Sequence, residues 1–252
     1  MKQAKLCGGE RRRAAVTRNR TRRTVALTAL SVTVLAGCAQ PPLTTTTDPA
    51  GNTITLNWKD YPAHAGMPAG DVLMLPTAEK VEARADQFIG NVQDALETEH
   101  GITGWTTRNE SGWYPEGGNG YGGESLLTTF NSASHEVSVT VPVEQWDEII
   151  DTVREIAERY EITDEASDTH FEEYPEWIRV GSFHRGAEFF DVFIQDDTLN
   201  PDHNADESDD GLATGVSLFY GITTISETDR AEFIRRAAPF EGIKLPEATT
   251  SD

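Results

Sequence analysis

Over residues 143–160 the apolar side chains Trp146, Ile149, Ile150, Val153, Ile156, Ala157 and Tyr160 recur three or four positions apart. At about 3.6 residues per helical turn they make one stripe, with Asp147, Glu148, Asp151, Glu155 and Glu158 on the other faces. Such a helix must lay its stripe against a second layer. A second helix opens at Thr77, carries Val81, Ala85, Phe88, Ile89, Val92, Ala95 and Leu96 as its stripe, and stops at Gly101. A short third helix is expected from Ser226 and Asp229 to about residue 237.

Between the helices lie short apolar alternations, read as strands at 53–58, 102–107, 125–131, 136–141, 177–183, 187–195 and 212–223. Residues 125–131 and 136–141 form an expected antiparallel pair around Ser132-Ala133-Ser134. A hairpin is expected through His184-Arg185-Gly186, and 61–76 reads as loop. Both long helices are followed by an Ile-Thr pair (Ile102-Thr103, Ile162-Thr163), a hint of a repeated helix-plus-strands unit. Helices on one face of a mostly antiparallel sheet give the expected fold class: α+β, a two-layer sandwich covered by two amphipathic helices.

The N-terminus has a different character. Residues 1–24 hold nine Lys and Arg against Glu10, and 25–36 are apolar but for Thr28, Ser31 and Thr33. That run suits a signal peptide and falls short of the roughly 20 residues of a spanning helix. It ends in Leu35-Ala36-Gly37-Cys38, where a cysteine follows the small-residue cleavage site. A diacylglyceryl group on the Cys38 thiol supplies two acyl chains, enough for stable membrane attachment. The expected organisation is a lipoprotein signal at 1–37, a lipid anchor and flexible tether at 38–52, one domain at 53–240 and a polar tail at 241–252. The expected location is the outer face of the bacterial cytoplasmic membrane. Thr21-Arg22-Arg23-Thr24-Val25-Ala26-Leu27 resembles the twin-arginine pattern, but arginines are abundant here and general secretion is the expected route, with twin-arginine export the alternative.

Nine of the 21 Lys and Arg and one of the 42 Asp and Glu precede Cys38, so 12 basic residues face 41 acidic ones in the remainder. This balance excludes a nucleic-acid partner and docking on anionic headgroups. Only Cys7 and Cys38 occur, so no disulfide is expected and the core must hold the domain alone.

No catalytic motif is complete. Gly215-Val216-Ser217-Leu218-Phe219 has Phe219 where a hydrolase elbow needs its second glycine. His135 and His184 fall in expected turns and read as solvated. Asp202, Asn204 and Asp206, in the acidic loop 196–211, match the first ligands of a calcium loop, but Glu207 and Ala213 break the pattern. The loop 111–124 sets Gly117-Gly118-Asn119-Gly120 beside Trp113, Tyr114 and Tyr121, either stacking faces for a ligand or a mobile connection. No cofactor, metal site or catalytic set is expected.

The chain resembles the LppA-type lipoproteins of mycobacteria and related actinobacteria. The likeness rests on the Cys38 motif, on Pro142, Trp146, Ile149, Val153, Ile156, Ala157 and Tyr160, on Gly186, Glu188 and Phe189, and on Thr214-Gly215, over roughly 136–223. Relatives tend to have glycine where Glu161 stands, and they carry downstream cysteines that are absent here. The resemblance implies location and fold without an assigned activity. The expected function is a non-enzymatic, membrane-anchored interaction or binding module of the cell envelope, with an envelope protein or small molecule as partner. A small-molecule or calcium-binding lipoprotein is the alternative. Replacing Cys38 by Ala is expected to release the protein or to leave its precursor unprocessed, as read by fractionation and intact mass.

Overall fold

The computed structural model describes residues 40–47, 51–165, 176–200 and 214–249. In chain order the elements are β1 (Leu43–Thr47), β2 (Thr53–Asn57), α1 (Ala69–Met74), α2 (Ala78–His100), β3 (Thr106–Arg108), β4 (Gly112–Pro115) and β5 (Thr128–Asn131). Then follow β6 (Ser134–Val137), α3 (Trp146–Arg159), β7 (Asp164–Glu165), β8 (Ile178–Arg185), β9 (Glu188–Asp196), β10 (Thr214–Thr224) and α4 (Arg230–Ala237). The main sheet runs β3-β6-β10-β9-β8-β7, with β5 also on β10 and β4 on β5. Every described pairing is antiparallel. The fold is α+β, as the patterns led one to expect.

Register explains the main core. Phe183 pairs with Phe190 and Phe190 with Tyr220, while Ile194 pairs with Val216 and Val216 with Val137. These rows are buried, and their alternates on the other face are half-buried, the period-two signature of a sheet with one packed face. From α2, Phe88 inserts its ring 4.6 Å from that of Phe190 and 4.7 Å from that of Tyr160. From α3, Trp146 is buried and donates through Nε1 to the Val141 carbonyl at 3.0 Å.

The two Ile-Thr pairs have one cause. Gly101 ends α2 at φ 68°, and Glu161 follows α3 at φ 63°. In each case the next residue turns back onto its helix: Ile102 N donates to Leu96 O at 3.1 Å and Ile162 N to Ala157 O at 3.0 Å. Both isoleucines are buried. The motif is a left-handed helix stop used twice.

Several expectations need correction. Residues 125–131 and 136–141 do not pair with each other; β5 and β6 lie end to end along the eleven-residue β10. Ser132 makes the break, its N donating to Tyr220 O at 2.9 Å and its Oγ accepting from Tyr220 N at 3.0 Å. The expected strand 102–107 is Thr106–Arg108, and α1 lies inside the expected loop 61–76. The 184–186 turn falls instead at Gly186-Ala187. The tether reading of 38–52 fails for Leu43–Thr47, which pairs residue by residue with β2. Nor is 241–252 a free tail: Ile243 and Leu245 pack on a second core. That core, centred on Leu56, Trp58, Tyr61, Val72, Tyr121 and Phe233, has no helix stripe to announce it.

Glu161 holds a conformation that costs a side-chain-bearing residue roughly 1 kcal/mol, and its exposed pair with Arg185 offsets little. Glu161→Gly is therefore expected to raise stability by about 1 kcal/mol. The reading is a higher urea midpoint at unchanged slope.

Candidate functional site

The second core is built around one amide. Asn119 is fully buried, and its Nδ2 donates to Tyr61 O at 2.8 Å, Trp58 O at 3.1 Å and Lys59 O at 3.2 Å. Its Oδ1 accepts from Tyr121 N and Gly123 N, each at 2.9 Å. The backbone approach is so close that a Cβ on Gly123 would lie 1.8 Å from Lys59 O. Glycine is thus required there on contact grounds alone.

Around this knot the aromatic rings close up. Trp58 lies 5.3 Å from Tyr61, 5.4 Å from Tyr121 and 4.8 Å from Phe240 between ring centroids. The Tyr121 hydroxyl donates to Pro246 O at 2.9 Å, and Thr249 N donates to Gly120 O at 2.8 Å. These bonds hold the C-terminal segment as a strap. On α4, Arg236 donates to the carbonyls of Asp60, Tyr61 and Glu124, and Arg230 to that of Leu73, so α4 is fastened to α1 and the knot.

An apolar cleft of about 750 Å³ opens between α1, α4 and the strap. Its walls include Tyr61, Pro68, Leu73, Ile234, Phe240 and Leu245. The Tyr61 hydroxyl is committed, donating to Met67 O and accepting from Ala69 N, each at 2.8 Å. Burial pushes its pKa up to about 12, against the opposing effect of the Ala69 bond. At the rim stand the exposed Glu241 and Lys244, which form no ion pair among the described residues. The cleft can exclude water from an apolar body and offers little to orient a reacting group. Its volume is within the usual small-molecule range of roughly 300–1,000 Å³.

A polar cluster lies in the main core. Glu188 is fully buried and accepts from Arg84 Nε at 2.6 Å, Tyr220 Oη at 2.7 Å and Arg185 Nη2 at 2.8 Å. Arg84 also donates to Tyr160 O at 2.7 Å and sits 5.1 Å from that ring's centroid. Burial alone would lower the Arg84 pKa; the bond to Glu188 and its charge outweigh this and raise it. Burial, then the Glu188 charge, raises that of Tyr220. Opposite charges joined in this way bind the layers together.

The residues singled out by sequence fare differently. Cys38, with Asp202, Asn204, Asp206, Glu207 and Ala213, lies outside the described residues. Asp196, at the head of the acidic loop, is an internal cap whose Oδ1 accepts from Thr198 N at 3.0 Å and Thr198 Oγ1 at 2.6 Å. Among the described residues no cluster of three His, Cys, Asp or Glu could hold a metal ion. The loop 111–124 is neither a ligand cage nor a loose connection. Tyr121 is buried, Trp113 donates to Glu82 Oε1 at 2.7 Å, and Tyr114 is exposed. Ser217 sits within the straight β10, so the elbow geometry is absent there. His135 and His184 lie in strands rather than turns: His135 Nδ1 is 3.3 Å from Gln93 Nε2, and burial lowers its pKa. His184 Nε2 lies 2.9 Å from Ser182 Oγ. That hydroxyl also donates to Asp191, so the serine, not the histidine, bridges the three.

The family model for LppA, described as a lipoprotein confined to pathogenic Mycobacterium, matches residues 69–170. Over residues 69–170 the chain is thus similar to the LppA family. The matched span begins at the first residue of α1 and takes in both long helices. Of the residues that carried the resemblance, Gly186, Glu188, Phe189 and Thr214-Gly215 lie beyond it. The chain is also similar to the crystal structure of LppA from Mycobacterium tuberculosis, at 12% identity and a TM-score of 0.39, over 73% of this chain and 90% of that one. No curated protein matches. Among the described residues no helix is long and apolar enough to cross a membrane.

Asn119→Ala strips the Lys59 carbonyl and the N–H groups of Tyr121 and Gly123 of their buried partner, while the carbonyls of Tyr61 and Trp58 keep bonds from Arg236 and from Tyr61 N. The expected loss is about 3 kcal/mol, at 1–3 kcal/mol for each group left unsatisfied and with partial relaxation. Asn119→Asp keeps the shape but loses the donors, and should destabilise comparably. Urea unfolding of both variants checks this.

Proposed function

We propose that this LppA-type chain is an exported lipoprotein, anchored through a lipid on Cys38, that works as a non-catalytic binding module. Its site is the cleft between α1, α4 and the C-terminal strap, and its ligand is a small, predominantly apolar molecule. The observation that carries the reading is the composition of the cleft wall. Its apolar side chains stand open and the Tyr61 hydroxyl among them is spent on backbone partners, which leaves only the exposed side chains of Glu241 and Lys244 as charged groups in the lining. Burying apolar surface is the one large free-energy gain that such a wall offers. Catalysis would ask for a poised nucleophile or base; the candidates in the lining, Glu241 and Lys244, are exposed, and among the described residues no side-chain partner orients either. The sequence alternative of a calcium-binding lipoprotein draws no support from the cleft, which lacks clustered oxygen ligands.

Gly70 provides the test. It lines the cleft, and a Cβ added there meets nothing within 4 Å. Gly70→Leu should fill the site without straining the fold. An environment-sensitive apolar dye is expected to brighten on the native protein and to lose about tenfold in affinity on Gly70→Leu, the cost of excluding about two methylenes. Equal dye binding by the two proteins, at equal thermal stability, would overturn the cleft as the site.

A further inference from the structure

The start of the described chain is fastened to the same core as the cleft. Trp58 N donates to Pro42 O at 3.0 Å, and Trp58 Nε1 to Thr44 Oγ1 at 2.8 Å. A Cβ at Gly122 would lie 3.7 Å from the Pro41 ring. On their other side, Trp58 packs against Phe240 and Tyr121 bonds Pro246, and both partners line the cleft. Trp58 therefore links the docked Pro42 to Phe240 of the cleft wall.

Cys38 precedes Pro42 by four residues. Even fully extended, that stretch spans at most about 14 Å. A lipid on Cys38 would keep the second core within that reach of the bilayer surface, where phospholipid is at high effective concentration. The 15-residue spacer expected from sequence would have allowed much more freedom.

Rim charge narrows the ligand. Lys244 and Glu241 put one cation and one anion beside an apolar cavity, in a chain whose charge after Cys38 is strongly negative. Anionic headgroups meet long-range repulsion from such a surface, whereas a zwitterionic headgroup sets its phosphate to Lys244 and its ammonium to Glu241. We propose that the cleft accepts one acyl chain of a zwitterionic membrane phospholipid, drawn from the bilayer to which the short Cys38 leash holds it. This rests on the cleft being the binding site proposed above.

The full-length lipidated protein, reconstituted in vesicles of phosphatidylcholine and phosphatidylethanolamine, tests it. A trace of phosphatidylethanolamine with a diazirine midway along one acyl chain is photoactivated, and the adducts are mapped by peptide mass spectrometry. Adducts are expected on Leu73, Ile234 and Leu245, falling about tenfold in Gly70→Leu. They should also fall in Lys244→Glu, and when a long Gly-Ser insert separates Cys38 from Gln40. Labelling confined to exposed Met74 or Leu43, or unchanged in Gly70→Leu, would mean surface contact only and overturn the proposal. Equal labelling by a phosphatidylglycerol probe would overturn the headgroup assignment, and labelling indifferent to the insert would overturn the leash. If the apolar dye enters the cleft but the lipid probe does not label it, the lipid inference fails while the binding reading stands. If neither enters, both fail.

Discussion

Glu188 is the constraint on which the two-layer packing depends. A carboxylate removed from water carries a desolvation cost of several kcal/mol, and it is tolerated only where charge and hydrogen bonds replace the lost water. Here the replacements come from three other elements: Arg84 on α2, Arg185 on β8 and Tyr220 on β10. None of the three can shift without uncovering the charge. The register of β8, β9 and β10 and the rotation of α2 over the sheet are thereby coupled. Arg84 extends the coupling to the end of α3 through the Tyr160 carbonyl. The apolar rows of Phe183, Phe190 and Tyr220 supply cohesion that many registers could share, and the buried charge favours one of them.

The second core uses a neutral version of the same device. Asn119 shares its two N–H groups among three carbonyls and accepts from two backbone N–H groups, joining the segment after β2 to the glycine-rich loop. The cleft inherits its shape from this knot, because Tyr121, held by Asn119 through its own N–H, in turn bonds Pro246 of the strap. A wall made of a six-residue helix, an eight-residue helix and a strap has little helical stability of its own. It keeps its form through contacts with the knot.

What sequence made legible follows from periodicity. The stripes of α2 and α3 and the alternations of β9 and β10 face one continuous core, so pattern and burial coincide there. The second core drew its members from loops, a ribbon and the C-terminal segment, where no period repeats long enough to register. Asn119 read as a loop residue because its role depends on carbonyls some sixty positions away. The threonine run 44–47 read as a spacer because its composition is polar. In β1 alternate threonines face outward and half inward, and the strand is held by backbone bonds to β2 and by the indole of Trp58. Glu188 stood among many carboxylates, and no local signal marks the one that will be buried. The left-handed backbone at Glu161 had no such signal, because glycine, the usual residue there, is absent and only the positive φ shows it.

The polar accounting decides how selective the cleft can be. Among the described residues, the buried side-chain polar atoms without a partner are Thr77 Oγ1, Trp105 Nε1, Arg185 Nε and Thr249 Oγ1, and none belongs to a cleft-lining residue. With no buried side-chain donor or acceptor of the wall left unsatisfied, a polar group on a ligand finds its side-chain counterparts only in the exposed Glu241 and Lys244. Discrimination inside the cavity then rests on volume and apolar area, which tolerate a change of a methylene or two. Finer selectivity must come from the rim, where Lys244 and Glu241 stand in water and are screened by salt. As the proposed binding site, such a cleft would suit a ligand that is abundant nearby and variable in its apolar part, with proximity to the source counting for more than intrinsic affinity.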